Sequence, residues 1–233
     1  MAIIIDWPAN LKPNHALIPY IENNTTSSGS SVTGIERLVS TDAGRWRYGF
    51  RVPIKTQAEV LSWRALMALT ETRANIIRVP IEDCRYDVAS TSGIRAAVRS
   101  LIPDAGIPHS DGALHSDGSG YSQSFVTGKC IALASQGSTA MTMTLPVGAV
   151  PQIGQMFSNG DNLYRVKSAR LVSGATYTLK FEPRLRSVAA TGSEFRFDDM
   201  SCLMRFSYDA VSRVEMQLLK FTDLELDFVE AVI

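Results

Sequence analysis

The chain has 233 residues, enough for one large domain or two small ones with a sizeable buried core. Its 23 Lys and Arg balance 23 Asp and Glu, so no global field draws it toward nucleic acid or an anionic membrane. No stretch approaches the roughly 20 apolar residues of a bilayer-spanning helix, and residues 1–8 lack the basic start and long apolar core of a secretion signal. A soluble protein made in the cytoplasm is expected.

Residues 1–53 are rich in Pro, Asn, Ser, Thr and Gly around short apolar pieces at 3–5 and 17–21, a loop-and-strand composition. Residues 23–31 are almost wholly small and polar and read as an exposed hairpin tip or arm. The sequons at Asn23 and Asn24 are read as chance matches. Residues 46–53 alternate aromatic or apolar with polar side chains and stop at Pro53, as a strand does. Thr56-Gln57-Ala58-Glu59 is a capping box, and the next 14 residues contain neither Gly nor Pro. This predicts a helix over 56–73, with Val60, Leu61, Arg64, Ala65, Ala68 and Leu69 forming the stripe laid on a sheet.

Residues 75–81 are β-branched but contain Pro80, which predicts an edge strand or a strand end. Residues 103–124 hold Pro103, Gly106, Pro108 and a doubled His-Ser-Asp-Gly at 109–112 and 115–118, the signature of a linker or long loop. Short strands follow at 141–145, 163–166, 176–181 and 195–197, spaced as in a small barrel or sandwich. Residues 214–218 and 223–228 alternate apolar with polar side chains, which suits half-buried antiparallel strands. The expected fold is mostly β: an N-terminal β-sandwich with one packed α-helix over 1–103, a loop over 104–124, and a second small β-barrel or β-sandwich over 125–233. The last strands could pack back on the N-terminal domain.

Candidate chemistry is sparse. Cys84, Cys130 and Cys202 are odd in number and far apart, which fits reduced, buried thiols. His109, His115, Asp111 and Asp117 are metal-ligand types, but their spacing is looser than that of a structural zinc site, and a solvated loop is the simpler reading. Gly128-Lys129-Cys130 echoes the end of a phosphate loop without its first glycine or its terminal hydroxyl. No nucleophile elbow or zinc-protease motif is present. The pairs Glu82-Asp83 and Asp198-Asp199 are adjacent residues whose side chains diverge. Arg184 and Arg186 flank Leu185 on one side of an extended segment and are candidate partner contacts. Asp223, Glu225 and Asp227 form an acidic row that suits a solvated sheet face or, in a ring, a channel lining that repels DNA phosphates.

Several stretches resemble structural proteins of the tails of double-stranded-DNA bacteriophages. They are Trp7-Pro8; Thr33-Gly34-Ile35-Glu36-Arg37 leading to Thr41-Asp42-Ala43-Gly44-Arg45-Trp46; the run from Tyr177 to Arg186; and Phe228-Val229-Glu230-Ala231. A distal tail protein is similar in plan, with a β-sandwich and one helix that build a ring and a second β domain projecting outward. The resemblance implies a virion protein of the tail, assembled in the host cytoplasm, with no catalytic residues, cofactor or metal. It implies a homo-oligomeric ring, a hexamer by that likeness, through which DNA passes without specific binding and which joins the tail tube protein to other baseplate or tail-tip proteins, with no membrane partner. The alternative is a tail-associated carbohydrate-binding module that uses exposed Tyr121, Tyr164 and Tyr208. A tail-borne cell-wall hydrolase is the third reading, and it lacks a convincing carboxylate pair or metal site.

Overall fold

The computed structural model describes residues 2–22, 25–30, 36–40, 44–70, 73–81, 112–114, 116, 118, 127–146, 149–197, 200–207 and 222–232. The protein is mostly β, with a single helix among these residues. The N-terminal elements are β1 (Ile4–Asp6), β2 (His15–Ala16), β3 (Tyr20–Glu22), β4 (Thr25–Ser30), β5 (Glu36–Ser40), β6 (Arg45–Ile54), α1 (Gln57–Thr70) and β7 (Ile76–Ile81). Then come β8 (Thr127–Cys130), β9 (Ala140–Thr144), β10 (Met156–Asn159), β11 (Asn162–Ser173), β12 (Thr176–Glu182) and β13 (Glu194–Arg196). The chain closes with β14 (Met200–Phe206) and β15 (Thr222–Glu230).

Two compact units result: residues 1–82 with 201–233, and residues 83–200. The second unit is therefore an insertion in the first and ends at residue 200, and the last strands belong to the N-terminal unit, the packing back that the sequence reading allowed. The first unit holds a seven-stranded sheet of order β1-β7-β14-β15-β6-β2, with β3 also paired to β6. Where the sequence suggests a sandwich, the described residues give this one large sheet, the helix and a separate two-stranded sheet of β4 and β5.

Alternation explains the centre of the sheet. In β6, Trp46, Tyr48, Phe50, Val52 and Ile54 are buried, while Arg45 and Arg51 are exposed on the other face. In β15, Leu224, Leu226, Phe228 and Glu230 are buried, whereas Asp223 and Glu225 are exposed. The predicted strand at 223–228 is β15, and it pairs with β6 and β14. Its proposed companion at 214–218 lies outside the described residues. Aromatic rings interlock behind the sheet: Phe50 and Phe228 stack at 5.1 Å, Phe228 and Phe206 at 5.0 Å, and Trp7 meets Phe50 edge-on at 5.1 Å.

The capping box forms as read. Glu59 Oε2 accepts from the Thr56 and Lys55 backbone N–H groups at 2.9 and 2.6 Å, and the Glu59 N–H donates to Thr56 Oγ1 at 3.3 Å. Those backbone donors hold the Glu59 carboxyl below the usual carboxylate range. The buried face differs from expectation. Trp63, Leu66 and Thr70 are buried, and Trp63 meets Phe206 edge-on at 6.2 Å, whereas Leu61 and Leu69 of the expected stripe are 55% and 57% exposed. The largest side chain sets the rotation of a short helix, because burying an indole outweighs burying alanines.

Of the two readings offered for Pro80, the edge strand fails, since β7 lies inside the sheet between β1 and β14, whereas the strand end holds, Pro80 being the last residue but one of β7. Pro80 is tolerated by position. The Ile76 N–H donates to Ile3 O and Arg78 O accepts from the Trp7 N–H, so even-numbered residues of β7 face β1. Strand β1 pairs only with residues 76–78 and has ended by Pro80, where a missing N–H costs nothing.

The second unit contains a closed six-stranded barrel in the order β10-β11-β12-β9-β8-β13, one of the two forms expected. The strands predicted at 141–145, 163–166, 176–181 and 195–197 coincide with β9, β11, β12 and β13. Phe157 sits at the hub of its core, with Tyr164, Phe181, Phe195 and Phe197 at centroid distances of 5.5, 5.7, 5.9 and 5.4 Å. Gly128 belongs to β8: a Cβ there would lie 2.8 Å from both Leu145 Cδ2 and Met143 Sδ, so the glycine is a packing requirement and not part of a phosphate loop. Lys129 points outward to Glu194 at 3.4 Å, and Cys130 points into the core.

Candidate functional site

The wet face of the first unit's sheet carries two complementary rows of charge. Register places Glu225 opposite Arg51 and Asp227 opposite Gly49, and the ion pairs follow: Arg51 to Glu225 at 3.3 Å and Arg47 to Asp227 at 3.6 Å. Arg47 Nε also donates to Glu22 of β3 at 2.8 Å. The hydrogen bond to Glu22 raises the Arg47 pKa above its ordinary value, against the opposing effect of partial burial and with help from the charges of Glu22 and Asp227. Glu225 and Asp227 of the acidic row are thus laced to arginines, and the row is not a bare negative surface. Exposed pairs of this kind contribute roughly 0.2–1 kcal/mol each, so their main effect is on register and on what can dock there.

Above these charges lies a groove of about 520 Å³, lined among others by Leu17, Tyr20, Gly49, Arg51, Glu225 and Asp227. Gly49 makes its floor. A Cβ at this position would stand 3.1 Å from Leu17 Cδ1 and 3.2 Å from Leu226 O, so with any larger residue the segment after β2 or the β15 backbone would have to give by a few tenths of an ångström. The Leu17 N–H donates to Gly49 O at 2.8 Å and fixes that approach. Leu17 and Tyr20 remain 57% and 50% exposed, giving the groove an apolar rim over a charged base.

A buried carboxylate escaped the sequence reading. Glu230 is 4% exposed, and its Oε2 accepts from the Trp46 N–H at 3.0 Å, closing the end of the β6–β15 ladder. Its acidic character at an inward position of the alternating run was the available signal.

In the second unit, Arg184 is exposed, Arg186 half-buried and the intervening Leu185 is 1% exposed, inserted into the barrel core. The segment is fixed by its backbone: the Arg186 N–H donates to the Tyr164 hydroxyl at 3.0 Å, Gln136 Nε2 donates to Arg186 O at 2.8 Å, and the Leu185 N–H donates to Ser138 O at 2.8 Å. The two arginines are therefore presented from a rigid base. Beside them, Glu182 takes a hydrogen bond from Arg165 Nε at 3.0 Å and pairs with Lys167 at 3.3 Å. Burial pushes the Glu182 carboxyl up, and the hydrogen bonds and charges of Arg165 and Lys167 outweigh it, leaving the group below its ordinary value.

Tyr164 is fully buried and stacks on Phe157, so it is not the exposed aromatic that a carbohydrate-binding reading needs. Tyr121 and Tyr208 lie outside the described residues, as do Cys84, His109, Asp111, His115, Asp117, Glu82, Asp83, Asp198 and Asp199. Cys130 and Cys202 are free and buried. Among the described residues, no group of three or more His, Cys, Asp or Glu side chains could hold a metal ion, and no helix is long and apolar enough to cross a membrane. Neither a protein-family model nor a curated protein sequence matches this chain.

Proposed function

We propose that this protein is a structural component of a bacteriophage tail, a ring-forming distal tail or baseplate hub protein that links the tail tube to baseplate or receptor-binding proteins. It acts by assembly and not by catalysis, in the tail of the virion. The observation that carries the assembly role is the ribbon of β4 and β5. These strands pair with each other in a sheet of their own, Thr25 opposite Ser40 and Ser27 opposite Leu38, close to the point where β3 pairs with the start of β6. A lone two-stranded ribbon is marginal in water. Its natural setting is against a neighbouring subunit. The bacteriophage setting rests on the sequence resemblance.

Light scattering of the purified protein, followed by negative-stain imaging, tests this reading. A closed ring with an open centre is expected. A strict monomer at high protein concentration, unchanged when purified tail tube protein is added, would overturn it.

A further inference from the structure

The outer wall of the barrel carries a concentration of positive charge that the neutral total of the chain conceals. Residues 162–186, which form β11, β12 and the segment after them, hold six Lys and Arg against one acid, Glu182, a net charge of +5 (6 − 1). The next acid, Asp161, stands in the turn before β11. Strand register gathers the charge on one face. Arg165 lies opposite Glu182, Ser168 opposite Lys180 and Arg170 opposite Thr178, while the intervening pairs Val166–Phe181 and Ala169–Leu179 turn inward to the barrel core. On the far side of β12, Thr178 faces Thr142 of β9 and Thr176 faces Thr144, with hydroxyl oxygens 3.1 and 3.3 Å apart. Glu182 is already neutralised by Arg165 and Lys167. Arg170, Lys180 and Arg184 are exposed and have no ion-pair partner among the described residues.

We propose that this face binds the backbone of double-stranded nucleic acid without reading its sequence. Composition selects the ligand. The outward positions of these rows are cations, threonines, Ser168, Glu182 and Ala140, and the exposed Leu171 and Val172 lie beyond them at the hairpin tip. The rows thus offer no large apolar side chain as the anchor that a protein interface is built around. Phosphate oxygens, by contrast, are held by Arg and Lys and by Ser and Thr hydroxyls. The rows present no aromatic ring either, since Tyr164 and Tyr177 pack with the barrel core. Single strands are gripped by stacking their bases on such rings, so a duplex, with its bases enclosed, is the form that suits this face. Arg165 and Arg170 stand about 15 Å apart along β11 at the rise of a strand, which spans about four phosphates of one DNA strand. The patch lies within one barrel and acts whether or not copies assemble.

The test is fluorescence anisotropy of a labelled DNA duplex of mixed sequence, titrated with the full-length protein at rising salt. Three free cations that displace counterions give log affinity a slope of about −2.7 on log salt, a loss of about fortyfold between about 50 and 200 mM. The variant carrying Arg170→Gln, Lys180→Gln and Arg184→Gln should bind at least about tenfold more weakly, with a shallower salt dependence. A matched variant with Lys12→Gln, Arg45→Gln and Lys55→Gln, all exposed cations of the first unit, loses the same net charge and should bind like the unaltered protein. Thermal unfolding checks the barrel. If the first variant melts early, the three single substitutions replace it, each expected to lower the salt slope by about one. Absence of binding at the lowest salt, affinity insensitive to salt, or equal weakening in both triple variants would overturn the site. Displacement of the labelled duplex by poly-glutamate as effectively as by unlabelled duplex would overturn it in favour of an acidic protein partner. Tighter binding of the single strand than of the duplex would overturn the choice of ligand.

Discussion

Replacing Phe228 by Ala should cost the first unit about 3–5 kcal/mol, the range for removing a buried aromatic ring. The site has no easy route to collapse. Phe228 is fully buried in the central strand β15, with Phe50 at 5.1 Å, Phe206 at 5.0 Å and Trp7 at 6.0 Å around it. Those rings come from β6, β14 and the segment after β1, so relaxation into the cavity would have to move three separate stretches of backbone. Each ring pair adds roughly 0.5–1.5 kcal/mol beyond area burial, which places the loss in the upper half of the range. The assay is urea unfolding followed by tryptophan fluorescence. All three tryptophans, Trp7, Trp46 and Trp63, belong to the first unit, so the signal reports that unit selectively. With a slope of about 2 kcal/mol per molar urea, the midpoint should fall by about 2 M. A shift corresponding to less than about 1 kcal/mol would refute the packing argument, since no buried ring at the hub of a cluster is so cheaply removed.

Three further outcomes follow from the same structure. Gly128→Ala should destabilise the barrel by about 1–3 kcal/mol through overpacking against Leu145 and Met143, read by thermal unfolding; an unchanged midpoint would mean that both side chains swing aside. Thr56→Ala should lower stability by about 1 kcal/mol through loss of the helix cap, and Thr56→Ser should restore most of it, both measured by urea unfolding. Glu182 has a depressed pKa, so its ionised form stabilises the fold above the unfolded carboxylate pKa and that contribution fades as pH falls through and below the carboxylate range. In Glu182→Gln this part of the acid dependence should disappear from a stability profile taken between about pH 6 and pH 2; an identical acid limb would contradict the Arg165–Glu182–Lys167 cluster.

Local pattern was the legible part of this fold. The capping box, the alternation of β6 and β15 and the positions of four barrel strands are encoded by neighbours a few residues apart. The rest depends on partners far away in sequence. The rotation of α1 is set by Phe206, the interior place of β7 by β1 and β14, and the assignment of β14 to the first unit by its pairing with β7 and β15. The burial of β14 shows no clean alternation, because Cys202, Leu203 and Met204 are all buried, so its pattern hid its place. The site was half legible for the same reason. The acidic row was visible, whereas its partners Arg47 and Arg51 were screened from notice by the aromatic residues between them. Matching the odd-numbered arginines of β6 with the odd-numbered acids of β15 would have found the ladder.

The insertion of the barrel also orders events in time. Strand β15 lies between β6 and β14, yet the ribosome makes it long after β6, with the whole barrel in between. At roughly 5–20 residues per second, that interval is about ten to thirty seconds. During it the apolar side of β6, with Trp46, Tyr48 and Phe50, has no central neighbour to cover it, while the barrel is a continuous stretch of chain free to fold as it emerges. Nascent chains that stop before Thr222 therefore have every barrel strand but lack the central strand of the sheet. Those are the species on which a chaperone or a protease would act first.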